Sequence, residues 1–387
     1  MFLQPLLERN APLAAFALDS LRRKLLLPDT FIIDLDTLEE NASLMLAEAK
    51  RHGISLYFML KQLGRIPAVG ALLAKLGYAG AVCVDFREAL TMLESGVPLG
   101  NVGHLVQTPK AALEKILAAK PEIVTVYSVE KAREIGAVCS QLGLEQHVML
   151  RVSAPDDILY PGQQGGFSLE LFARSVKELA AIKGIRPAGV CAFPCFLFND
   201  EAKDILPTPN LDTVQKAAAI MGEMGYADIQ VNLPSVSCVR SLGLIAAKGG
   251  THAEPGHALT GTTPYHALPQ GGPERPALAY LSEISHNCNG KALCYGGGHY
   301  RRGHLAQALV GDSLKTAVPY NVSCPSPESI DYHFMLDRPA PVSQGALMCF
   351  RSQVFVTRSE VALASGLSRG KGRIESIWSA QGHRLAR

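Results

Sequence analysis

The sequence predicts an α/β fold, namely a (β/α)8 TIM barrel followed by a C-terminal β domain. Eight short apolar runs alternate with helix-like segments between residues 28 and 265, at the spacing of βα units. After Pro264 the composition changes: Gln270-Gly271-Gly272-Pro273 has the residues of a linker, and the strand-like pieces that follow show little helical periodicity. A doubly wound open sheet is the alternative architecture for the first part. We predict three ranges: a helical extension at 1–27, the barrel at 28–265 and the β domain at 266–387.

The composition is typical of a globular protein that binds neither nucleic acid nor a membrane. Of the 387 residues, 48% are hydrophobic and 19% charged, which argues against disorder, and the net charge of +2 comes from well-mixed residues. Residues 1–27 lack the order of a signal peptide, and no run reaches the ~18 to 20 apolar residues of a membrane span. Nine cysteines without a repeating framework favour reduced thiols, so we expect a soluble, cytoplasmic protein.

The first predicted barrel strand, Leu56–Lys61, consists of five apolar residues and a lysine, after which Gly64 and Pro67 turn the chain into a helix. The carboxyl ends of strands are where α/β barrels keep their chemistry, so Lys61 is a candidate nucleophile if it is desolvated. A lysine that leaves the core and is solvated is the alternative. The other seven strands are predicted at 80–84, 103–106, 122–127, 147–152, 188–193, 229–233 and 251–254.

Strands seven and eight end in residues that suit a phosphorylated ligand, because barrels commonly hold phosphate in the loops after these strands. Ser235 can cap a helix and offer hydroxyl and amide donors to an anion. Glu254 is followed by Pro255, Gly256 and His257. Considered alone, Ser235 is better explained as an ordinary helix cap, and a salt bridge is the alternative role for Glu254.

Closure of a barrel makes strands one and eight neighbours, so we expect Lys61 and Glu254 to face the same mouth. A lysine, an acid and a phosphate cradle in one mouth are what pyridoxal phosphate requires. The lysine forms a Schiff base with this cofactor, and the carboxylate keeps the ring nitrogen protonated so that the ring draws in carbanion charge.

From about residue 28 onwards, several motifs resemble those of one enzyme family. They are Ile33-Asp34-Leu35-Asp36-Thr37-Leu38 with Asn41, Lys61, Arg87-Glu88-Ala89, Gly165-Gly166-Phe167, Pro234-Ser235 and Glu254-Pro255-Gly256. In these motifs the sequence resembles the alanine-racemase-like, barrel-type (fold type III) pyridoxal phosphate enzymes. Three further segments resemble the YhfX-type branch of that family: Tyr160-Pro161-Gly162-Gln163, His252-Ala253-Glu254-Pro255-Gly256-His257 and Cys294-Tyr295-Gly296-Gly297-Gly298.

The departures from alanine racemase bear on the reaction. Racemases place an arginine at the ring nitrogen, whereas Glu254 resembles the Glu-Pro-Gly of ornithine and diaminopimelate decarboxylases. The decarboxylases' Gly-Gly-Gly phosphate loop precedes that motif, however, and 296–298 follows it here. Arg65 replaces the racemase tyrosine, Phe193 stands where racemases have a histidine over the cofactor, and the motif with the second racemase base is absent.

The resemblance implies a site that holds pyridoxal phosphate in a homodimer whose partner supplies the second acid or base from its β domain. Cys324, which is alternatively a buried structural cysteine, and Tyr295 are the candidates for that group, with Tyr300 as a further one. We expect no metal, because the zinc-like pair His286 and Cys288 has no further ligands. The predicted cofactor-binding residues are Lys61, Phe193, Ser235, Glu254, Gly256 and His257.

The predicted function is that of a racemase or epimerase acting at the α-carbon of a small amino acid. An amino-acid decarboxylase is the alternative suggested by Glu254. A non-catalytic carrier or regulator of pyridoxal phosphate is the alternative from another class. A further possibility is a barrel without cofactor, in which Lys61 forms a Schiff base directly with a carbonyl substrate.

Overall fold

The structure, a computed structural model, describes residues 1–386 and divides them into two compact units. The barrel unit consists of residues 45–60 and 67–256. The β unit consists of residues 1–44, 61–66 and the described chain from 257 onwards. The predicted domain ranges 1–27, 28–265 and 266–387 stay predictions.

The barrel unit contains eight parallel strands that close on themselves. Ser55–Leu56 pairs with His252–Ala253 on one side, and Phe58 forms a parallel bridge with Ala81 on the other. The predicted (β/α)8 architecture is therefore confirmed, and the open sheet is wrong. In spatial order the strands are Ser55–Leu56, Ala81–Cys83, Leu99–Val102, Ile123–Val126, Gln146–Ser153, Ile185–Cys191, Gln230–Asn232 and His252–Ala253.

Helices follow seven of the eight barrel strands, and two of these helices begin after residues whose side chains accept hydrogen bonds from free N–H groups. Asp85 accepts a hydrogen bond from the Glu88 N–H at 2.9 Å, and Ser128 accepts one from the Lys131 N–H at 3.2 Å. The helices are Leu35–His52, which begins in the β unit, Pro67–Leu76, Phe86–Glu94, Lys110–Ala118, Val129–Leu142, Phe172–Ala180, Pro209–Glu223 and Val239–Ala247. Short additional strands lie at Phe167–Ser168, Phe196–Asn199 and Asp204–Pro207.

Two barrel strands differ from their predicted positions. The strand predicted at 103–106 lies at Leu99–Val102, because Gly103 has a φ of +86° and ends it. Gly100, which looks like a turn residue in the sequence, belongs to the strand: a Cβ there would lie 2.4 Å from the Tyr57 ring. The predicted strand Leu56–Lys61 is also shorter than expected, since Lys61 begins a 3-10 turn over Lys61–Leu63.

The β unit contains a second, smaller barrel of six antiparallel strands. Leu278–Cys288 pairs with Lys291–Tyr295 and with Gly345–Met348, and the circuit closes through three more strands. Those three strands are Gln307–Val310, Val318–Ser323 and His333–Leu336. The sheet continues from Leu278–Cys288 through Thr30–Asp34, Glu360–Ser365, Arg373–Ser379 and Arg384–Leu385.

The segment 353–356, one of the strand-like pieces of the sequence after the linker, is not a strand in the structure. These residues form a 3-10 turn, Val354–Val356, in which the Val356 N–H donates to the Gln353 carbonyl at 3.1 Å. Two further 3-10 turns lie at His257–Thr260 and Pro264–Ala267. Within this segment Val354 is fully buried whereas Val356 is 60% exposed, so the apolar run does not mark a buried strand.

The N-terminal helices Leu3–Arg9 and Ala11–Arg22 pack on the sheet of the β unit. Their buried Leu6, Leu13 and Leu18 belong to one core cluster with Ile32 and Leu281. Burying a leucine side chain stabilises a fold by roughly 1.5–3 kcal/mol, so these helices contribute to the stability of the core of the β unit. No helix in residues 1–386 combines the length and apolarity of a membrane-spanning segment.

The glycine run at 296–298 serves packing in the β unit. A Cβ on Gly296 would lie 2.2 Å from the Asp331 carbonyl oxygen, and one on Gly297 would lie 2.0 Å from Asp29 Oδ2. Asp29 Oδ1 accepts hydrogen bonds from the hydroxyls of Tyr280, at 2.7 Å, and Ser359. The run is thus needed where the chain passes close to two carboxyl-bearing residues.

Replacing Asp29 with asparagine is expected to stabilise the protein at pH 8 and to flatten its pH dependence. Burial raises the pKa of Asp29 to about 6, so the folded state loses stability as the pH rises from about 4 to 6, by about 3 kcal/mol for a shift of that size. Asparagine tolerates the φ of +62° and can accept both hydroxyl bonds.

Urea unfolding at several pH values checks this prediction for Asp29→Asn. An Asp29→Asn protein that is less stable than wild type at pH 8, while exposed Asp312→Asn is neutral, would contradict it.

Candidate active site

Glu254 lies at the carboxyl end of the eighth barrel strand, with its side chain fully buried. Its main-chain N–H donates to Ser237 Oγ at 3.1 Å, which fixes the backbone at the strand end. Its Oε1 accepts hydrogen bonds from Asn101 Nδ2 at 3.1 Å and Asn232 Nδ2 at 2.5 Å. Its Oε2 is buried without a hydrogen-bond partner in residues 1–386, and His104 Nε2 lies 3.6 Å away.

The residues around Glu254 come from strands distributed around the barrel. Asn101 is on the third strand, and its Oδ1 accepts from the hydroxyl of Thr125 on the fourth strand at 2.7 Å. His104 follows the third strand, and its carbonyl accepts from the Tyr127 hydroxyl at 2.7 Å. These contacts form a buried layer of polar side chains. Such a layer fixes the position of each side chain, because each polar group has few alternative partners.

Arg151 adds a buried positive charge near the end of the fifth strand. Its side chain is 2% exposed, and it donates to the Tyr127 hydroxyl at 2.5 Å and the Gln163 carbonyl at 2.8 Å. No carboxylate of the described chain lies within ion-pair distance of it. A buried guanidinium without an acid is costly, which suggests that an anionic ligand offsets the charge.

Phe193 stands among aromatic residues of the barrel unit. Its ring centroid lies 5.7 Å from that of His104 and 5.8 Å from that of Tyr160. Both distances are in the range of favourable edge-on or tilted ring contacts. The stacking of Phe193 on a cofactor ring stays a prediction.

Ser235 does not cap the helix that follows the seventh strand, contrary to expectation. That helix begins at Val239 with Cys238 as its N-cap, and the Ser235 hydroxyl donates to the Phe196 carbonyl at 2.8 Å. Residues 233–238 therefore connect the strand, which ends at Asn232, to the helix. Binding of a phosphate by Ser235 stays a prediction.

Lys61 and His257 lie close enough in the β unit to interact electrostatically. Burial lowers the pKa of His257, and the positive charges of Arg351 and Lys61 lower it further, so the ring is neutral near pH 7. Its Nε2 lies 3.4 Å from Gln353 Nε2. The neighbouring Ser352 hydroxyl donates to the Gln62 carbonyl at 2.9 Å, which fixes the turn that carries Lys61.

Strands one and eight are neighbours, as predicted, and they stay paired beyond their regular ends. The Met59 N–H donates to the carbonyl of Pro255 at 3.0 Å. Lys61 follows two residues after Met59 along the chain, and Glu254 directly precedes Pro255. Gly256 is buried at the turn that comes next.

The candidates for a second acid or base all lie in the β unit. Cys324 is exposed, so the alternative of a buried structural cysteine is wrong, and its thiol donates to the Leu305 carbonyl at 3.4 Å. Tyr295 ends a strand with its side chain 39% exposed, and its ring centroid lies 6.0 Å from that of His333. Tyr300 accepts a main-chain hydrogen bond from Gly303.

Sequence reasoning missed Asn101, His104 and Arg151. Asn101 was hidden because the third strand was predicted two residues beyond it. Arg151 did carry a signal: it is a charged residue inside an apolar strand, where a charge needs a specific partner. His104 had no signal of its own.

Two family models and one known protein match the sequence of this chain. The family model "Alanine racemase, N-terminal domain" matches residues 33–264, and "YhfX-like, C-terminal domain" matches residues 279–374. The chain is 42% identical over 387 residues, 100% of both chains, to "Uncharacterized protein YhfX" of Escherichia coli (strain K12).

Solved structures of lower identity share the fold. Alanine racemase of Clostridium difficile 630 with cycloserine has 17% identity and a TM-score of 0.64, covering 92% of this chain and 99% of that one. D-threo-3-hydroxyaspartate dehydratase from Delftia sp. HT23 has 16% identity and a TM-score of 0.67, with 92% and 97% covered. Diaminopimelate decarboxylase from M. jannaschii has 16% identity and a TM-score of 0.65, with 92% and 90% covered. The chain therefore belongs to the alanine-racemase-like family, in its YhfX-type branch.

Proposed function

We propose that this protein is a pyridoxal-phosphate-dependent enzyme that acts at the α-carbon of an amino acid as a racemase or epimerase. The family is one of alanine-racemase-fold enzymes that typically bind this cofactor, and its solved members carry out several reactions. One observation carries the proposal to this chain: the buried Glu254 Oε2 has no hydrogen-bond donor among residues 1–386.

The residues present fit the cofactor. A buried carboxylate oxygen without a donor is unfavourable, and the protonated nitrogen of a pyridine ring would supply the missing N–H. The buried Arg151 guanidinium, without an acid beside it, suits an anionic oxygen of the same ligand. Both groups lie in the barrel unit and near the carboxyl ends of its strands.

The cofactor, when bound, supplies an electron sink for carbanion charge at the α-carbon. In our proposal Lys61 anchors it covalently and then moves a proton on one face of the substrate. Glu254 holds a proton at the ring nitrogen through Oε2. Phe193 covers a ring face, while Ser235, Gly256 and His257 hold phosphate. His257 is neutral, so it acts as a hydrogen-bonding group rather than as a charge.

Decarboxylation is the second candidate reaction, and Glu254 is the observation that favours it. Alanine racemases place an arginine at the corresponding position, whereas Glu254-Pro255-Gly256 resembles the decarboxylase motif. Racemisation needs a second base on the opposite face, while decarboxylation needs only a proton donor there. Cys324 and Tyr295, contributed by a partner subunit in a homodimer, are the proposed sources of that group.

Incubation with single amino-acid enantiomers in deuterated water separates these reactions. Racemisation predicts deuterium at the α-carbon together with loss of optical purity, read by mass spectrometry and chiral chromatography. Release of carbon dioxide with formation of an amine would instead establish the decarboxylase. Binding of pyridoxal phosphate by a strictly monomeric protein, with neither reaction, would establish a carrier and contradict the enzyme proposal.

A further inference from the structure

The carboxyl group of Glu254 is held by two asparagines that converge from opposite parts of the barrel. Asn101 lies on the third strand and Asn232 ends the seventh, and both side chains are fully buried. Both amides donate to the same oxygen, Oε1, at 3.1 and 2.5 Å. Oε2 is left without a hydrogen-bond partner in the described chain.

The orientation of the Asn101 amide follows from its second contact. Its Oδ1 accepts the hydroxyl proton of Thr125 at 2.7 Å, so Nδ2 is the atom left to donate to Glu254. Two amide donors on one carboxylate oxygen favour the ionised carboxyl group, and burial alone would favour the neutral one. The donors therefore act against burial at this position.

We propose that Asn101 and Asn232 are positioning residues that keep the buried Glu254 ionised and leave Oε2 as its acceptor for a ligand N–H. The proposal deepens the proposed function, because the ligand N–H would be that of the protonated pyridine ring. It adds a physical reason for the strength of the electron sink: the charge on Glu254 is maintained by two neutral amides rather than by solvent.

Other titratable groups face Glu254, and their effects on a pH-dependent measurement need to be distinguished from the effect of Glu254. They are His104, at 3.6 Å from Oε2, the thiols of Cys191 and Cys195, and the phenol of Tyr57. Burial raises the pKa of both thiols and of Tyr57, so these groups are neutral near pH 7. His104 is retained in every variant of the experiment below, so its own effects are common to all of them.

A double-mutant cycle on the protein without added cofactor measures the interaction free energy between each asparagine and Glu254. Asn101→Leu and Asn232→Leu are each made in wild-type and in Glu254→Gln backgrounds, and the free energy of unfolding is measured from about pH 5 to pH 8. An amide donor stabilises an ionised carboxyl group more than a neutral one, so the cost of each substitution should grow as the pH rises. With glutamine at position 254 no carboxyl group is left to ionise, so the pH-dependent part of that cost that comes from Glu254 should be absent.

Thr125→Val and Asn210→Leu complete this design. Thr125→Val removes only the hydroxyl that orients Asn101, so it should give a smaller shift of the same sign even if the leucine variants fail to fold. Asn210 is an equally buried asparagine of the barrel unit that contacts Ile158, and its substitution should show no pH dependence tied to Glu254. Equal, pH-independent losses in both backgrounds would overturn the proposal and leave the asparagines a structural role.

Titration with pyridoxal phosphate provides a second readout. The dissociation constant should rise about tenfold in Asn232→Leu, and the pH midpoint of the bound absorption band should shift, with neither change in the Glu254→Gln background. If wild-type protein binds no pyridoxal phosphate, the proposed function fails. The unfolding cycle still decides the role of the asparagines in that case.

Discussion

Replacing Lys61 with alanine is expected to lower turnover by at least about 10²- to 10⁴-fold, the range that a single acid–base group supplies. The true loss should be larger, because the same amine also anchors the cofactor. The purified variant should lack the absorption band near ~420 nm that a lysine-bound cofactor gives. Folding should be retained, since the turn that carries Lys61 is fixed through its main chain by Ser352.

Lys75→Ala is the matched control, because Lys75 is an exposed lysine on the helix Pro67–Leu76. It should keep both the absorption band and the activity. A Lys61→Ala protein that retains full activity and the band would remove Lys61 from the mechanism.

Replacing Glu254 with glutamine is expected to lower the rate constant of the chemical step by about 10²- to 10³-fold, the size of effect seen when one electrostatic partner of a reacting group is lost. Glutamine can still accept both amide bonds of Asn101 and Asn232 through its oxygen, so the barrel should fold. At the Oε2 position, however, it presents an N–H donor where an acceptor is needed. The ring nitrogen would then lose its proton.

The rate of deuterium exchange at the α-carbon measures this effect, with Glu254→Asp as the variant that keeps the charge. Glu254→Asp should recover part of the lost rate, since its carboxylate can still accept an N–H. Equal rates in wild type and Glu254→Gln would mean that no protonated ring nitrogen contributes to the reaction.

Much of the barrel could be predicted because each of its strands and helices leaves a pattern within a short stretch of sequence. Apolar runs of four to six residues, each followed by a helix, placed seven strands within a few residues, and the adjacency of strands one and eight followed from closure alone. Glu254 could be found because it stands at a strand end with a distinctive neighbour sequence. The third strand was misplaced because glycine usually signals a turn. Gly100 instead lies within the strand, where the Tyr57 ring leaves no room for a side chain.

The β unit could not be predicted to the same degree, because its pairings join distant segments. Thr30–Asp34 precedes the barrel in sequence, yet it pairs with Leu278–Cys288 and Glu360–Ser365. Alternating burial identifies a strand but does not say which sheet it joins. The residues 61–66 belong to the β unit for the same reason: their contacts are with residues near 352–356, and no local pattern signals this.

The polar groups around Glu254 show a further limit of sequence reasoning. Asn101, Thr125 and Asn232 come from three strands, and a single asparagine within an apolar strand reads as a weak break in the pattern. Their convergence depends on the way the barrel closes, which sets the residues that share a layer. Arg151 is the exception, because a buried arginine is rare enough to signal a partner or a ligand.

Reductive trapping tests the central claim most directly. The protein is loaded with pyridoxal phosphate, reduced with borohydride and digested, and the peptides are analysed by mass spectrometry. We predict one pyridoxyl phosphate group per chain, attached to Lys61, with disappearance of the band near ~420 nm. Stoichiometric attachment to another lysine, or no attachment to any lysine, would contradict the assignment of Lys61 and Glu254 to a common cofactor site.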